Sequence, residues 1–255
     1  MIENGLRQLL RRVLESDRVW CAYALADLDP AEDERCMWLK DEQGVVLIYN
    51  GFDPPVLFAH GEPDDLHHLF GRVPPGNYLY TLKEPCRTML DQKLEPAFEQ
   101  RMWRMSLNQS TFPSRSTTGV TRLGLEDVAA IKHLYGGFPD QPDAFHERQL
   151  AMGPFFGIFE NKAIISIAGV HILSLWASVA AIGNVFTRPD RRGRGLAAKT
   201  TAAVVQAVLN QGIDTIVLNV AMDNEPALRC YRNLGFFEHC SYCEGSGFLK
   251  LSEMD

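Results

Sequence analysis

Residues 191–200 read RRGRGLAAKT and stand between an apolar run and an amphipathic helical pattern. Three phosphate-binding patterns overlap in them. Gly193, Gly195 and Ala198 satisfy the dinucleotide pattern G-x-G-x-x-G/A. Gly193, Lys199 and Thr200 form a Walker A loop with Ala198 in place of its second glycine. Arg192, Gly195 and Ala197 satisfy R-x-x-G-x-A/G, a pattern that holds the pyrophosphate of coenzyme A. All three use the same physics: unpaired N–H groups at a helix N-terminus, close approach at glycine, and a favourable dipole. The ten residues do not choose among them; the rest of the chain does.

The chain has 255 residues and a formal net charge of −7. Such a balance argues against a general nucleic-acid binder, which carries a basic excess. Against that acidic background Arg188, Arg191, Arg192, Arg194 and Lys199 crowd together, which points to a small polyanion. The alternative for this run is a solvated basic turn. Arg7, Arg11 and Arg12 lie inside a helical pattern rather than before an apolar core, so no secretory signal is read and a cytoplasmic chain is expected. Cys240 and Cys243 have C-x-x-C spacing, but no second pair completes a zinc site, and no metal is expected. Residues 163–187 carry no formal charge, yet Gly169, His171, Ser174, Ser178, Gly183 and Asn184 interrupt them. They read as two buried strands around a turn near Ser174 to Trp176, not as a membrane span.

The clearest seam is residues 106–119, SLNQSTFPSRSTTG, polar and without period. Before it, residues 1–105 read as an α/β module: a helix over Leu6 to Val13, strands at 20–25, 45–49 and 55–59, and a short helix at PDDLHHLF. His60, His67 and His68 in this module read as surface or structural residues. After the seam, 117–255 reads as a strand, a helix, a hairpin turning at Glu160-Asn161-Lys162, a strand into the arginine-glycine loop, and a helix from Leu196 to Leu209. The strand DTIVLNVA, a helix capped by Asn224, and two closing strands, FFEHCSY and GFLKLS, complete it.

That order decides among the phosphates. A dinucleotide fold places its glycine loop after the first strand and then needs several βα units. The 55 residues after Thr200 hold about two strands and a helix before the closing hairpin. A P-loop enzyme meets the same shortage, and Ala198 spoils its glycine. By contrast, VFTRPDRRGRGLA followed by a helix, a strand and NEPALRCYRNLGFF resembles the GNAT superfamily of acyl-CoA-dependent N-acyltransferases over about residues 117–250. The resemblance implies an α+β fold, a mixed and mostly antiparallel sheet flanked by helices, and makes the N-terminal module a candidate for a degenerate second copy. It implies acetyl-CoA, or another acyl-CoA, as co-substrate. Val185, Phe186 and Thr187 would offer backbone groups to pantetheine, and Arg192, Gly193, Arg194, Gly195, Leu196, Ala197 and Ala198 would wrap the pyrophosphate. Asn224 matches the family asparagine that contacts the cofactor, besides serving as a helix cap. Tyr231 matches the tyrosine that protonates the departing thiolate; as a plain core residue it would share a helix face with Ala227.

The implied chemistry is attack of a neutral amine on a thioester. Many relatives supply a glutamate as base on the strand before the loop or the next one. Here 177–187 holds no acid, and the matching place on the next strand is near Asn219. His171, Glu147 and His239 remain as substitutes, each also readable as structural or surface, and water could relay the proton. Without a carboxylate, a low-pKa α-amine of a small molecule is the expected acceptor, ahead of a protein lysine. The rival is a non-catalytic acyl-CoA-binding or sensing module, which would keep the loop but have no use for Tyr231. Neither a nucleic acid nor a membrane is an expected partner; the N-terminal module is expected to shape the substrate pocket or a homodimer contact.

Overall fold

The computed structural model describes residues 2–138 and 145–250. The chain divides into two compact units, Met1–Arg104 with Glu238–Asp255, and Met105–Phe237.

The first unit begins with helices α1 (Asn4–Leu14) and α2 (Ala22–Ala26), then strands β1 (Cys36–Lys40), β2 (Val45–Tyr49) and β3 (Val56–His60). Helix α3 (Pro63–Phe70), strand β4 (Gly76–Leu82), helix α4 (Glu84–Met89) and strand β5 (Leu94–Leu107) follow. β1, β2 and β3 pair antiparallel, and β3 pairs parallel with β4 across the α3 crossover. Val46, Ile48 and Leu57 from the sheet meet Leu66, Leu69 and Phe70 from α3 in one core, each buried. Burial of such a side chain stabilises the fold by about 1.5–3 kcal/mol. The stretch 20–25, expected as a strand, is instead turn and α2. Trp20, Cys21, Ala22, Ala24 and Leu25 are all buried, and a short apolar run buried on every side has no period to separate strand from helix.

The second unit runs through β6 (Thr121–Leu123), α5 (Val128–Tyr135), α6 (Arg148–Met152), β7 (Phe155–Glu160), β8 (Ala163–Ser174) and β9 (Val179–Thr187). Then come α7 (Leu196–Leu209), β10 (Thr215–Ala221), α8 (Glu225–Arg232) and β11 (Phe236–Leu249). β6 to β9 pair antiparallel in order, and β10 pairs parallel with β9. Asn161 and Lys162, at φ 49 and 67, make the tight turn of the β7–β8 hairpin. The apolar run of 163–187 is this pair of strands; no helix among the described residues is long and apolar enough to cross a membrane. Helix α7 packs on β7, β8 and β9, and the hydroxyl of its buried Thr200 donates back to Leu196 O and Ala197 O.

The end of the chain departs from the expected 117–255 domain with a closing hairpin. β11 is one unbroken strand, and its residues from Glu238 onward belong to the first unit. There β11 pairs antiparallel with β4, from Cys243↔Leu82 to Leu249↔Gly76. Gly245, between the two expected closing strands, serves close approach instead: a Cβ there would strike Phe98 O and lie 2.5 Å from Tyr80 Oη. Leu251 and Ser252, the end of the expected last strand, lie outside the described residues. Gly245→Val should therefore destabilise the protein by about 1–3 kcal/mol through overpacking, read as a lower urea midpoint.

Candidate functional site

The site grows from a loss of pairing. β9 and β10 are in register from Val179↔Thr215 to Ile182↔Leu218, and the pairing ends there. β9 nevertheless runs on to Thr187 and β10 to Ala221, so the two strands part. Exposed strand edges of this kind accept an extended ligand through main-chain hydrogen bonds. Of the three residues expected to offer them, Val185 is half-buried and Phe186 and Thr187 are buried. Thr187 is partly engaged already: its carbonyl accepts from Arg192 Nε at 3.0 Å and its hydroxyl lies 2.8 Å from that of Ser166. The Phe186 ring packs against Phe138 and Tyr135, with the Arg192 guanidinium 5.5 Å above it.

Beyond β9 the chain makes one 3-10 turn, Pro189–Arg191, and enters α7 through two left-handed residues, Gly193 (φ 76) and Gly195 (φ 71). A Cβ at either glycine would meet nothing within 4 Å, so the dihedral angle, not crowding within the protein, demands glycine. Gly195 caps α7 without a side-chain hydrogen bond, and the first turn contains no acidic residue. The first intrahelical bond runs from Lys199 N to Gly195 O at 3.2 Å. The N–H groups of Leu196, Ala197 and Ala198 come before it and have no intrahelical acceptor, which leaves them for an anion.

The surrounding cations divide into two sets. Arg191 bonds Glu160 at 2.9 Å and Asp190 at 2.7 Å, and Arg188 bonds the same Asp190 at 2.9 Å. Hydrogen bonds from these guanidinium groups hold both carboxyls below the usual range. Arg194 and Lys199 are exposed and have no ion pair among the described residues. The loop's uncompensated positive charge is thus narrower than the sequence suggests. A pyrophosphate fits what remains: free N–H groups, open glycines and two unpaired cations.

On the β10 side, Asn224 caps α8 by accepting from Ala227 N at 3.2 Å, and it is exposed. Tyr231 lies on the same helix, 8% exposed, with its ring edge-on to Phe236 at 6.2 Å. Burial pushes its phenol above the ordinary tyrosine value, and neighbouring Cys230 adds to the rise.

The three candidate bases are placed far apart in role. Glu147 is exposed and ion-paired with Lys132. His239 belongs to the first unit, where it bonds Asp17 at 2.8 Å. His171 lies on β8 beside Gly183, within a cluster that the sequence did not announce. In it, Gln149 Nε2 donates to His171 O, Asn184 Nδ2 donates to Gln149 Oε1 at 3.1 Å, and Tyr135 Oη donates to Asn184 O at 2.9 Å. The single available signal was an asparagine and a glycine side by side in an otherwise apolar strand.

Comparison with known proteins bears on this geometry. Residues 125–236 match the model of the Acetyltransferase (GNAT) family. A mycothiol acetyltransferase of Corynebacterium aurimucosum is 36% identical over 86 residues, which is 31% of this chain and spans only 28% of that protein. A mycothiol acetyltransferase of Streptomyces bingchenggensis is 24% identical over 257 residues, 91% of this chain and 79% of the relative. The solved structure of an acetyltransferase from the GNAT family of Colwellia psychrerythraea shares the fold with a TM-score of 0.62 at 14% identity, over 98% of each chain. The parted parallel strands, the glycine loop and the family match occupy the same stretch, and it is over residues 125–236 that this chain is similar to the GNAT acetyltransferases.

Proposed function

We propose that this chain moves the acetyl group of acetyl-CoA to the neutral primary amine of a small molecule, an α-amine in preference to a lysine side chain. The observation that carries the reading is the parting of β9 and β10 immediately before a helix N-terminus with open glycines and no first-turn acid. Val185 and Phe186 supply the strand edge for pantetheine, with Thr187 at its end. Residues from Arg192 to Ala198 hold the pyrophosphate, and Arg194 and Lys199 face the remaining phosphate charge. Acetyl-CoA supplies the activated acyl carbon. Asn224 orients the ligand at the head of α8 while capping it.

Tyr231 gives a hydrogen bond to the departing sulfur. From ordinary values, full transfer from phenol to thiolate is uphill by about 2 kcal/mol, and burial of Tyr231 widens that gap. The phenol therefore keeps its proton at neutral pH and acts as a donor during departure. The preference for an α-amine follows from the lack of any acid on β9. An amine of pKa near 8 is about a tenth neutral at pH 7, a lysine well under a thousandth. Two relatives named mycothiol acetyltransferase are compatible with a small acceptor. A cytoplasmic setting suits six free thiols.

The same absence of an acid favours the second reading, an acyl-CoA-binding module without turnover. Tyr231 separates the two, since binding alone has no use for a buried donor.

The first unit reads as a degenerate copy of the second. Its β3–α3–β4–α4–β5 order repeats β9–α7–β10–α8–β11, again with the first two strands parallel. Its equivalent slot is filled from within. Trp20 Nε1 donates to Ala59 O at 3.1 Å, and Lys83 bridges to Asp17 at 2.8 Å. A cavity of only about 110 Å³ remains beside His60, Glu62 and Cys86. The first turn of α3 carries Asp64 and Asp65, the wrong sign for a phosphate.

Acetyl-CoA at about a hundred times its dissociation constant should stabilise the chain by about 2.7 kcal/mol, whereas ATP and NAD should not. Calorimetry should give one acetyl-CoA per chain; two would reopen the first unit's slot. Tyr231→Phe should lower kcat about 10²-fold with acetyl-CoA affinity unchanged, and undiminished turnover would remove the role. Asn224→Ala should cost about 1 kcal/mol of stability as a lost cap. Asn224→Asp should restore the cap while weakening acetyl-CoA binding, measured by chemical unfolding and calorimetry.

A further inference from the structure

Resting on the acetyltransferase reading, we propose that Asn219 selects the acceptor. Its side-chain oxygen takes a hydrogen bond from the attacking nitrogen and, being uncharged, admits the neutral amine in preference to the ammonium. Three buried side-chain oxygens of the second unit have no hydrogen-bond partner among the described residues: Asn184 Oδ1, Thr201 Oγ1 and Asn219 Oδ1. Buried acceptors are nearly always paired, so each exception needs a cause. Asn184 is tied toward β8, where its Nδ2 donates to Gln149 Oε1 at 3.1 Å and to Val170 O at 3.4 Å. Thr201 is fully buried on α7. Asn219 alone of the three is on β10.

Its position on that strand matters. The parallel register ends at Ile182↔Leu218, so Asn219 is the first residue of β10 to have lost β9. Extending the register one step sets it beside Gly183, and neighbours in register project to the same face. Gly183 brings no side chain to that face. The His171 ring bounds the space from β8, since a Cβ on Gly183 would strike its Cδ2 and Nε2. That Nε2 accepts from Asn184 N at 3.3 Å, so its lone pair is committed and the imidazole is not a base here. Asn219 therefore carries a spare acceptor at the apex of the slot proposed to hold the thioester.

The surroundings are uncharged. Neither β9 nor β10 presents an ionisable side chain. Around α8, Asp223, Glu225, Arg229 and Arg232 are exposed, with Glu225 and Arg229 facing each other at 3.9 Å. Lys199 on α7 and Lys132 and His133 on α5 are exposed; near α6, Arg148 is half-buried and Glu147 is paired with Lys132. An ammonium entering beside Asn219 would lose hydration and meet no carboxylate, whereas a neutral amine exchanges one hydrogen bond for another.

A carboxamide oxygen accepts a hydrogen bond but does not take up a proton. In the step, Asn219 holds one N–H while the nitrogen lone pair bonds to the acetyl carbon. The carbon–sulfur bond breaks with its electron pair going to sulfur, which departs as thiolate under the hydrogen bond from Tyr231. The nitrogen's surplus proton passes to water, and the thiolate takes a proton from water, so the products are an acetamide and a free thiol. Tyr231 ends the step with its own proton.

The test uses the full chain, acetyl-CoA, amino-acid amides and simple alkylamines, with kcat and KM followed from about pH 6 to 10. In the wild type kcat/KM should rise with pH and level off at the pKa of each acceptor. A limb fixed at one pH for every acceptor would place a proton-taking side chain in the slot and overturn the assignment. Asn219→Leu should raise the amine KM about tenfold and leave acetyl-CoA affinity within about twofold. Its urea midpoint without ligand should not fall, because the lost oxygen leaves no partner stranded. A lower midpoint with an unchanged amine KM would make Asn219 structural and overturn the proposal. Should the leucine variant not fold, Asn219→Asp, of the same size, decides. Its carboxylate should shrink the preference for amides over alkylamines about tenfold or more, and a preference within about twofold of wild type overturns the proposal. If the wild type binds acetyl-CoA but acetylates no amine at any pH, the acetyltransferase reading falls, and this assignment with it.

Discussion

Two parallel strands that pair for four residues and then separate are the constraint on which the second unit depends. Backbone N–H and C=O groups are costly to leave unpaired away from water, so an edge freed at Ile182 and Leu218 needs either solvent or an extended ligand. The separation also determines what surrounds it. β9 must be held from its other side, and the long antiparallel pairing with β8 does so. The bulges in that pairing set the Asn184 amide against Gln149 and the His171 ring beside Gly183. Tyr135, Gln149 and Ser166 secure the distorted stretch with side-chain hydrogen bonds.

Electrostatics distinguishes the two units more sharply than topology does. Helices α3 and α7 both follow the first strand of a parallel pair, yet one begins with Asp64 and Asp65 and the other with no acid at all. A first-turn carboxylate is worth only about 0.3–1 kcal/mol to its own helix. The same charge opposes an incoming phosphate, however, so the N-terminus of α3 lacks the polarity toward an anion that α7 keeps. Trp20 takes the matching step with the strand edge, offering its indole N–H to the Ala59 carbonyl.

The loop and its flanking elements were legible because glycines, arginines and helix periodicity are local signals. α7, α3 and the Asn224 cap stand where the residues indicate. Three features were hidden, each for a physical reason. The buried run at Trp20 to Leu25 has no polar face to reveal its period. Gly245 and Gly247 look like turn residues but meet the backbone of Phe98 and Glu95, which lie far away in sequence. His171 resembles an ordinary strand residue because its orientation comes from a register shift between two strands, not from its neighbours in the chain. The excess charge of the loop was overestimated for a related reason: Glu160, distant in sequence, neutralises Arg191.

The strand that completes the first unit follows the whole second unit in sequence. β4 finds its partner in β11 through pairs such as Leu82↔Cys243, so the whole second unit is made between the two. During synthesis β4 waits with an open edge while domains otherwise fold from the N-terminus onward. Contacts of such long sequence separation slow folding, because loop closure is met before the pairing rewards it. The first unit therefore cannot be treated as an independent N-terminal fragment, and loss of the final strand would expose a β-edge prone to intermolecular pairing.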